Sequence, residues 1–357
     1  MNEQSVMMQI LDLARWAPSG DNTQPWRFEI LDNCNVVVHG FDTRHHCVYD
    51  LDGRPSQISL GALLETIEIA ASSFGRTMVA RMRAGIPETT PTFDIQLSPS
   101  PGVARDELVD CIKRRTVQRR AMRTRRLTHK EKAELQVSVA PRFEIRWLEG
   151  LGPRWQAARL MFNNAKVRLT MPEAYEVHRD IIEWGAKFSV DKVPDAALGA
   201  DPATLKLMRF VMKDWRRVAF VNRYLAGTLA PRLQMDFWPS LACAAHYVLV
   251  DSHRPESIED HVAAGRAVQR LWLTLTKLGL NQQPEMTPLI FEAYVRKGVV
   301  FTQDSRVAKL TAELARGLHE TIGVDAAQAV WMGRVGAGIP AQARSIRLAL
   351  PSLVWTR

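Results

Sequence analysis

The sequence predicts an α+β protein. Three observations carry that expectation: apolar residues recur at helical spacing over several long stretches, the β-rich runs are few and short, and strands and helices do not alternate as in a doubly wound sheet. At 357 residues the chain has room for two ordinary domains or one large one. With 46% hydrophobic and 24% charged residues it has the composition of a globular protein, which excludes a disordered chain or a small disulfide scaffold. Its 20 glycines and 19 prolines follow no period, so collagen-like and low-complexity architectures are excluded as well.

Ser5 is the expected N-cap of a first helix in which Met7, Ile10, Leu11 and Ala14 share a face, and Pro18 ends the pattern. Residues 27–31 and 36–39 are β-rich around the turn-forming Asp32-Asn33-Cys34-Asn35, a hairpin signature. A second helix is expected over 59–74, with Leu60, Leu63, Leu64, Ile67 and Ala71 inward, Glu65 and Glu68 facing solvent, and Gly75 as the stop. A strand at 93–97 precedes Ser98-Pro99-Ser100-Pro101-Gly102, where a domain boundary is expected. Residues 106–115 read as a short helix, and Thr128 with Glu131 forms a capping box for the next one. After a strand at 143–148, residues 150–241 are mainly helical in pattern. The run 243–250 reads as a buried strand, and Ser257 with Asp260 opens a long helix ending at Gly279. No internal repeat is visible.

No stretch of about 18 uncharged apolar residues exists, so no spanning helix and no membrane partner are expected. Met1–Gln9 contains Glu3 and lacks a basic region, so it does not read as a signal peptide, and a cytoplasmic location is expected. Cys34, Cys47, Cys111 and Cys243 have no metal-ligand spacing and are expected to be reduced thiols. His45-His46-Cys47 reads as a polar loop, and no metal is expected.

The chain is basic, with 47 Lys and Arg against 38 Asp and Glu, a formal charge of +9 and a pI near 9.6. Lys113, Arg114, Arg115, Arg119, Arg120, Arg123, Arg125 and Arg126 account for most of the excess, and the rest of the chain is nearly neutral. Three readings of this segment stand: a solvated charged loop, a phosphate site built from guanidinium groups with Thr116, or a nucleic-acid contact. No RNP motif, zinc finger or interleaved aromatic platform accompanies it, so nucleic acid is not expected as a partner.

Ala17-Pro18-Ser19-Gly20-Asp21-Asn22-Thr23-Gln24-Pro25-Trp26 follows the first helix. A helix-ending proline, small residues and two side-chain amides suit either a turn feeding a hairpin or a site for an oxygen-rich ligand. This string resembles the APSxxNxQPW signature of the FMN-dependent nitroreductase family. Arg114-Arg115-Thr116 with Arg119 and Arg120 resembles the family's RRSxR phosphate motif, one residue longer. Residues 265–271 leading to Leu278-Gly279-Leu280 resemble the helix and GLG turn beside the flavin ring. The segment 336–347, with Pro340, Arg344 and Arg347, resembles the family's C-terminal phosphate-binding segment. Here the turn precedes the phosphate motif, the reverse of the order in ordinary members. Together with Asp42, Arg44, Asp52-Gly53-Arg54 and residues 58–62, that order resembles a longer Acg-like subfamily of fused halves.

The resemblance implies a nitroreductase-like fold made of two halves, an intramolecular pseudo-dimer. Residues 1–102 would carry the turn, and residues 103–357 the phosphate motif with a helical insertion or lid at about 150–241. It implies one FMN, bound by Pro18, Ser19, Gly20, Asn22, Gln24, Arg114, Arg115, Thr116, Arg119, Gly279, Leu280 and Arg344. The implied function is an NAD(P)H-linked oxidoreductase acting on a nitro, quinone or other conjugated small molecule, or the reverse tailoring dehydrogenation, as a monomer or homodimer. NADH or NADPH would be a transient donor, since neither GxGxxG nor GxxxxGK[ST] occurs. No catalytic acid or base is assigned. Alternative readings are a flavin-sequestering protein with a covered FMN and, lower, a nucleic-acid or partner-binding protein using residues 113–126.

Overall fold

The computed structural model describes residues 5–355, so the Met1–Gln4 part of the N-terminal reading lies outside the described residues. The chain is α+β and contains two four-stranded antiparallel sheets, each with one long helix against it. The first is formed by α1 (Val6–Ala14), β1 (Trp26–Ile30), β2 (Asn35–Gly40), α2 (Arg54–Ser72), β3 (Arg76–Met82) and β4 (Thr92–Pro99), with sheet order β1-β2-β4-β3. Ser5 caps α1 by accepting the Met8 N–H, and the Asp32 carboxylate accepts the N–H groups of Cys34 and Asn35 to close the β1–β2 turn.

The second begins with α3 (His129–Val137) and β5 (Phe143–Glu149), then α4 (Leu151–Thr170), α5 (Pro172–Ile181), α6 (Pro202–Val211) and α7 (Trp215–Tyr224). It resumes with β6 (Ala245–Asp251), α8 (Ile258–Lys277), β7 (Leu280–Pro284), α9 (Thr287–Lys297), α10 (Ser305–Ile322) and β8 (Ala329–Ala337). Its sheet order is β5-β6-β8-β7. Set α3, β5, β6, α8, β7 and β8 against α1, β1, β2, α2, β3 and β4: element order and strand order coincide. This is a repeat of topology that the sequence does not display.

Helices α2 and α8 cross at the centre, backbone against backbone. A Cβ on Gly61 would lie 2.0 Å from the Val262 carbonyl oxygen, and one on Gly265 would lie 2.0 Å from that of Ile58. The two approaches mirror each other. Around the crossing, Glu65 pairs with Arg266 at 3.0 Å and Arg270 at 2.6 Å, and Arg270 also reaches Asp106 at 3.0 Å. Glu65 is therefore buried rather than solvent-facing, because the partner helix brings two guanidiniums to it.

Several other boundaries differ from the sequence reading. Helix α2 starts at Arg54 rather than residue 59, because Gly53 at φ +74° and the Asp50 carboxylate, which accepts the Ser56 N–H, begin it one turn earlier. Residues 106–115 form only the short 3-10 turn Val109–Cys111. Beyond it Arg115 is anchored on the Trp16 carbonyl and Val117 bridges to Gln282, which draws the chain out straight. The edge strand β3 has no strong apolar signal because its side chains alternate between half-buried and exposed.

The first core contains Trp26, Phe28, Leu63 and Ile67, together with Leu108 and Ile112 beyond the expected boundary and Leu350 and Leu353 from the far end of the chain. Burying one such side chain contributes roughly 1.5–3 kcal/mol. The closing segment returns to the first sheet: Val354 bridges in parallel to Phe28, and the Trp355 N–H donates to the Phe28 carbonyl at 2.7 Å. Helices α4 and α5 pack through Val167, Met171, Ala174 and Val177 on Cys47 and Val48 of the first half, with Phe291 and Tyr294 of α9. All four cysteines are free thiols.

Candidate functional site

Between α2 and α8, covered by residues from α4, α5 and the segments 193–198 and 235–236, lies a cavity of about 410 Å³. It has a positive end and a mixed, acid-containing end.

The turn Ser19–Gln24 forms one wall and is strained: Asp21, Asn22 and Gln24 have φ of +49°, +65° and +49°. Non-glycine residues hold such angles only where surrounding bonds enforce them. Here the enforcement is explicit. The Ser19 hydroxyl accepts the Gln24 N–H at 2.9 Å, and the Asn22 amide donates to Ile346 and Lys192 carbonyls. The Gln24 amide donates to Val190 at 2.8 Å, while its oxygen accepts the Leu348 N–H at 3.0 Å. Gln24 thus staples the turn to two distant segments and is fully buried behind the cavity wall. Pro18, Ser19, Gly20 and Asn22 line it.

Arg115, Arg344 and Arg347 line the positive end with Thr116 and Ser345. The Arg115 guanidinium donates to the Trp16 carbonyl at 3.0 Å and lies 4.5 Å from the Trp272 ring centroid. Arg344 donates to the carbonyls of Lys113 and Arg115, and Arg347 to that of Ala17. None of the three has a carboxylate within ion-pair distance among the described residues. Burial, followed by the repulsion of Arg347 and Arg344, pushes Arg115 well down, and burial with Arg344 beside it lowers Arg347 to about 9. Three mutually repelling cations held by backbone carbonyls form a site that an anion would stabilise. The Arg115 and Arg344 Nε atoms and the Asn22 Oδ1 are buried without hydrogen-bond partners.

The other end carries groups that the sequence did not single out. Asp21 faces the cavity with no hydrogen bond or close ion pair among the described residues, and burial raises its carboxyl. Arg168 of α4 pairs with Asp236 at 2.7 Å, and Tyr49 meets His178 Nε2 at 2.9 Å. Burial, with Arg168 nearby, holds His178 neutral by pushing it down to about 3. Glu285 accepts from Arg334 at 3.1 Å and from His246 at 2.7 Å. Burial alone would lower His246, but the Glu285 carboxylate holds it up at about 10. Trp272 and Trp331, with ring centroids 6.2 Å apart, line the cavity between the two ends.

Of the sequence-derived residues, Pro18, Ser19, Gly20, Asn22, Arg115, Thr116, Arg119 and Arg344 come together at this cavity. Gln24, Arg114, Gly279 and Leu280 do not line it: Arg114 is exposed, and Gly279, at φ +68°, ends α8. The basic segment 113–126 is no single surface either. Arg115 and Arg119 turn inward, while Arg125 pairs with Glu131 of the capping box at 2.6 Å.

No family model matches the chain, and no curated protein matches it. Among solved structures it is similar to a nitroreductase-like family protein from Bacillus cereus, at 13% identity over 71% of this chain and 96% of that one, with a TM-score of 0.35. It is similar to a nitroreductase with bound FMN from Bacteroides fragilis, at 11% identity over 66% and 89%, with a TM-score of 0.31. A third similar structure is the FMN-dependent nitroreductase NfnB from Mycobacterium smegmatis in complex with NADPH, at 15% identity over 69% and 96%, with a TM-score of 0.37.

Proposed function

We propose that this chain is an FMN-dependent oxidoreductase of the nitroreductase family, with two family-like halves fused into an intramolecular pseudo-dimer and one FMN per chain. The observation that carries the reading is the cluster of Arg115, Arg344 and Arg347, three cavity-lining guanidiniums without a carboxylate partner, beside the Ser19–Asn22 turn. A phosphate suits them, because guanidinium groups bind it with charge-assisted, bidentate hydrogen bonds. The unpartnered Arg115 Nε, Arg344 Nε, Asn22 Oδ1 and Gln283 Oε1 give the remaining polar edges of such a ligand donors and acceptors. The division at residue 102, with 150–241 as a lid, belongs to the same proposal, supported by the matching order of the two sheets.

When bound, FMN supplies hydride-transfer chemistry, with NADH or NADPH as transient donor and a nitro, quinone or other conjugated small molecule as acceptor. The chain's own part is to bind, orient and exclude water. Arg115, Arg344, Arg347 and Thr116 would hold the phosphate, Ser19, Gly20 and Asn22 the adjoining polyol, and Trp272 and Trp331 an apolar ring. Met161, Met235 and Ile181 from the lid keep water out. Asp21, its carboxyl raised by burial, can hold a proton at a carboxyl oxygen facing the cavity.

A second reading is a flavin-sequestering protein, favoured by how much of the cavity wall comes from the covering segment: Met161, Arg168, His178, Val193, Met235 and Asp236 all belong to it. The purified protein is expected to be yellow, with about one FMN per chain, and to bleach anaerobically with NADH or NADPH. A colourless protein that FMN cannot reconstitute overturns both readings. Flavin retained but inert to either donor leaves the sequestering one. Arg115→Ala is expected to weaken FMN binding by about tenfold to a hundredfold in fluorescence titration, and unchanged affinity overturns the phosphate assignment.

A further inference from the structure

Helices α6 and α7 bury none of their residues, although both are strongly two-faced. The inner face rests lightly on α4 and α5: the Tyr175 ring meets that of Trp215 at a tilt, centroids 5.4 Å apart, and its hydroxyl donates to the Met212 carbonyl, and the Asn222 amide donates to the Leu169 carbonyl. The outer face is the unusual one. Leu207, Phe210, Phe220 and Tyr224 are 59%, 58%, 56% and 62% exposed, and Leu225, Leu229 and Leu233, which follow in the chain, are exposed as well. Soluble surfaces scatter single apolar side chains but do not gather them in this way.

The same hairpin is basic. Residues 202–225 carry Lys206, Arg209, Lys213, Arg216, Arg217 and Arg223 against one acid, Asp214. Outside 113–126 the chain is nearly neutral in sum, yet this hairpin is locally basic, balanced by acids elsewhere. The cations are interleaved with the aromatics: Arg217 lies 4.6 Å from the Phe210 ring centroid, and Arg223 lies 5.4 Å from that of Tyr224.

We propose that the α6–α7 hairpin is a docking surface for an anionic lipid bilayer, lying in its interface without crossing it. Exposed Leu and Phe between Lys and Arg are the composition of helices that seat at the headgroup boundary, apolar side chains reaching the acyl region and cations reaching the lipid phosphates. A second copy of this chain fits poorly, since two such faces repel each other. Nucleic acid would satisfy the cations and Tyr224 but would leave the leucines in water. The expectation of no membrane partner rested on the lack of a spanning segment. No helix among the described residues is long and apolar enough to cross a membrane, and interfacial seating needs none. The hairpin joins Ala197 and Leu198 to Met235 and Asp236, all of which line the cavity, so docking would place the covering wall at the membrane surface. This inference stands independently of the FMN reading.

The test is co-sedimentation of the full chain with vesicles of phosphatidylglycerol and phosphatidylcholine in equal parts, against vesicles of phosphatidylcholine alone. The protein is expected to pellet with the anionic vesicles and to be released by raised salt. Arg216→Glu with Arg217→Glu should weaken binding by more than tenfold, given about fivefold per basic residue near an anionic surface. Phe210→Ser with Phe220→Ser should weaken it at unchanged charge. All four residues are exposed or face solvent, so circular dichroism and thermal midpoint should match the parent. The proposal is overturned by absence from anionic vesicles, or by binding that neither variant changes. It is equally overturned if these variants abolish a concentration-dependent dimer or an oligonucleotide complex while vesicle binding is absent.

Discussion

The two halves share an order of elements and differ in what their loops carry. In the first, residues 31–34 take the chain from β1 to β2. In the second, residues 150–244 intervene between the equivalent β5 and β6, and residues 285–328 between β7 and β8, against 83–91 in the first. The first half contributes the strained turn, Tyr49 and one face of α2, through Pro55, Ile58, Ser59 and Ala62, to the cavity. The second contributes the covering helices, the Arg168–Asp236 pair, His178 and Glu285. One topology used twice supplies a central crossing. The insertions, together with the arginines at 115, 344 and 347, make the two faces chemically unequal.

Breaking the unequal part should have the largest effect. Glu285→Gln removes a carboxylate that serves two buried cations, His246 and Arg334, and nothing in the first half stands in for it. A loss of about 3–5 kcal/mol is expected in chemical denaturation. The pH dependence has a definite sign. His246 is held near pH 10, above the unfolded value of about 6.5. Its pairing with Glu285 therefore stabilises the fold fully below about pH 6.5, and that contribution is lost progressively as pH rises towards about 10. A thermal midpoint that falls over this window in the parent, and falls less in Glu285→Gln, is the expected pattern.

The shared part is tested at the crossing. Gly265→Ala should cost about 3 kcal/mol, since its methyl meets a backbone carbonyl that cannot step aside, and Gly61→Ala should cost about the same. Clearly unequal losses would break the equivalence of the two halves. The smallest effect is at the matching first helices, both capped by a hydroxyl. Ser5→Ala and Thr128→Ala should each lose about 1 kcal/mol in thermal unfolding.

The family resemblance singled out the turn, Arg115, Arg119 and Arg344, which line the cavity, and Arg114, which does not, because a short string can be matched without knowing which way its side chains turn. The caps at Ser5, Thr128 and Ser257 were legible because a capping bond spans only three residues. Glu65 was misplaced because its burial depends on two arginines that lie two hundred positions later in the chain. Tyr49 and His178, or His246 and Glu285, are likewise pairs without a common local pattern, and only the folding of the insertions brings them together. Gln24 shows the converse limit. Its string suggested a ligand contact, yet its hydrogen bonds are spent on the Val190 and Leu348 backbone.

The return of the chain to its own beginning fixes the timing of assembly during synthesis. Residues 344–355 emerge from the ribosome more than three hundred positions after the Ser19–Gln24 turn that they brace and the β1 edge that they cover. Until then the first sheet has an open edge at Phe28, and the cavity lacks Arg344 and Arg347 together. Completion of the cavity's positive end and bracing of the oldest part of the fold are thus late and coincident, because both wait for the same last segment.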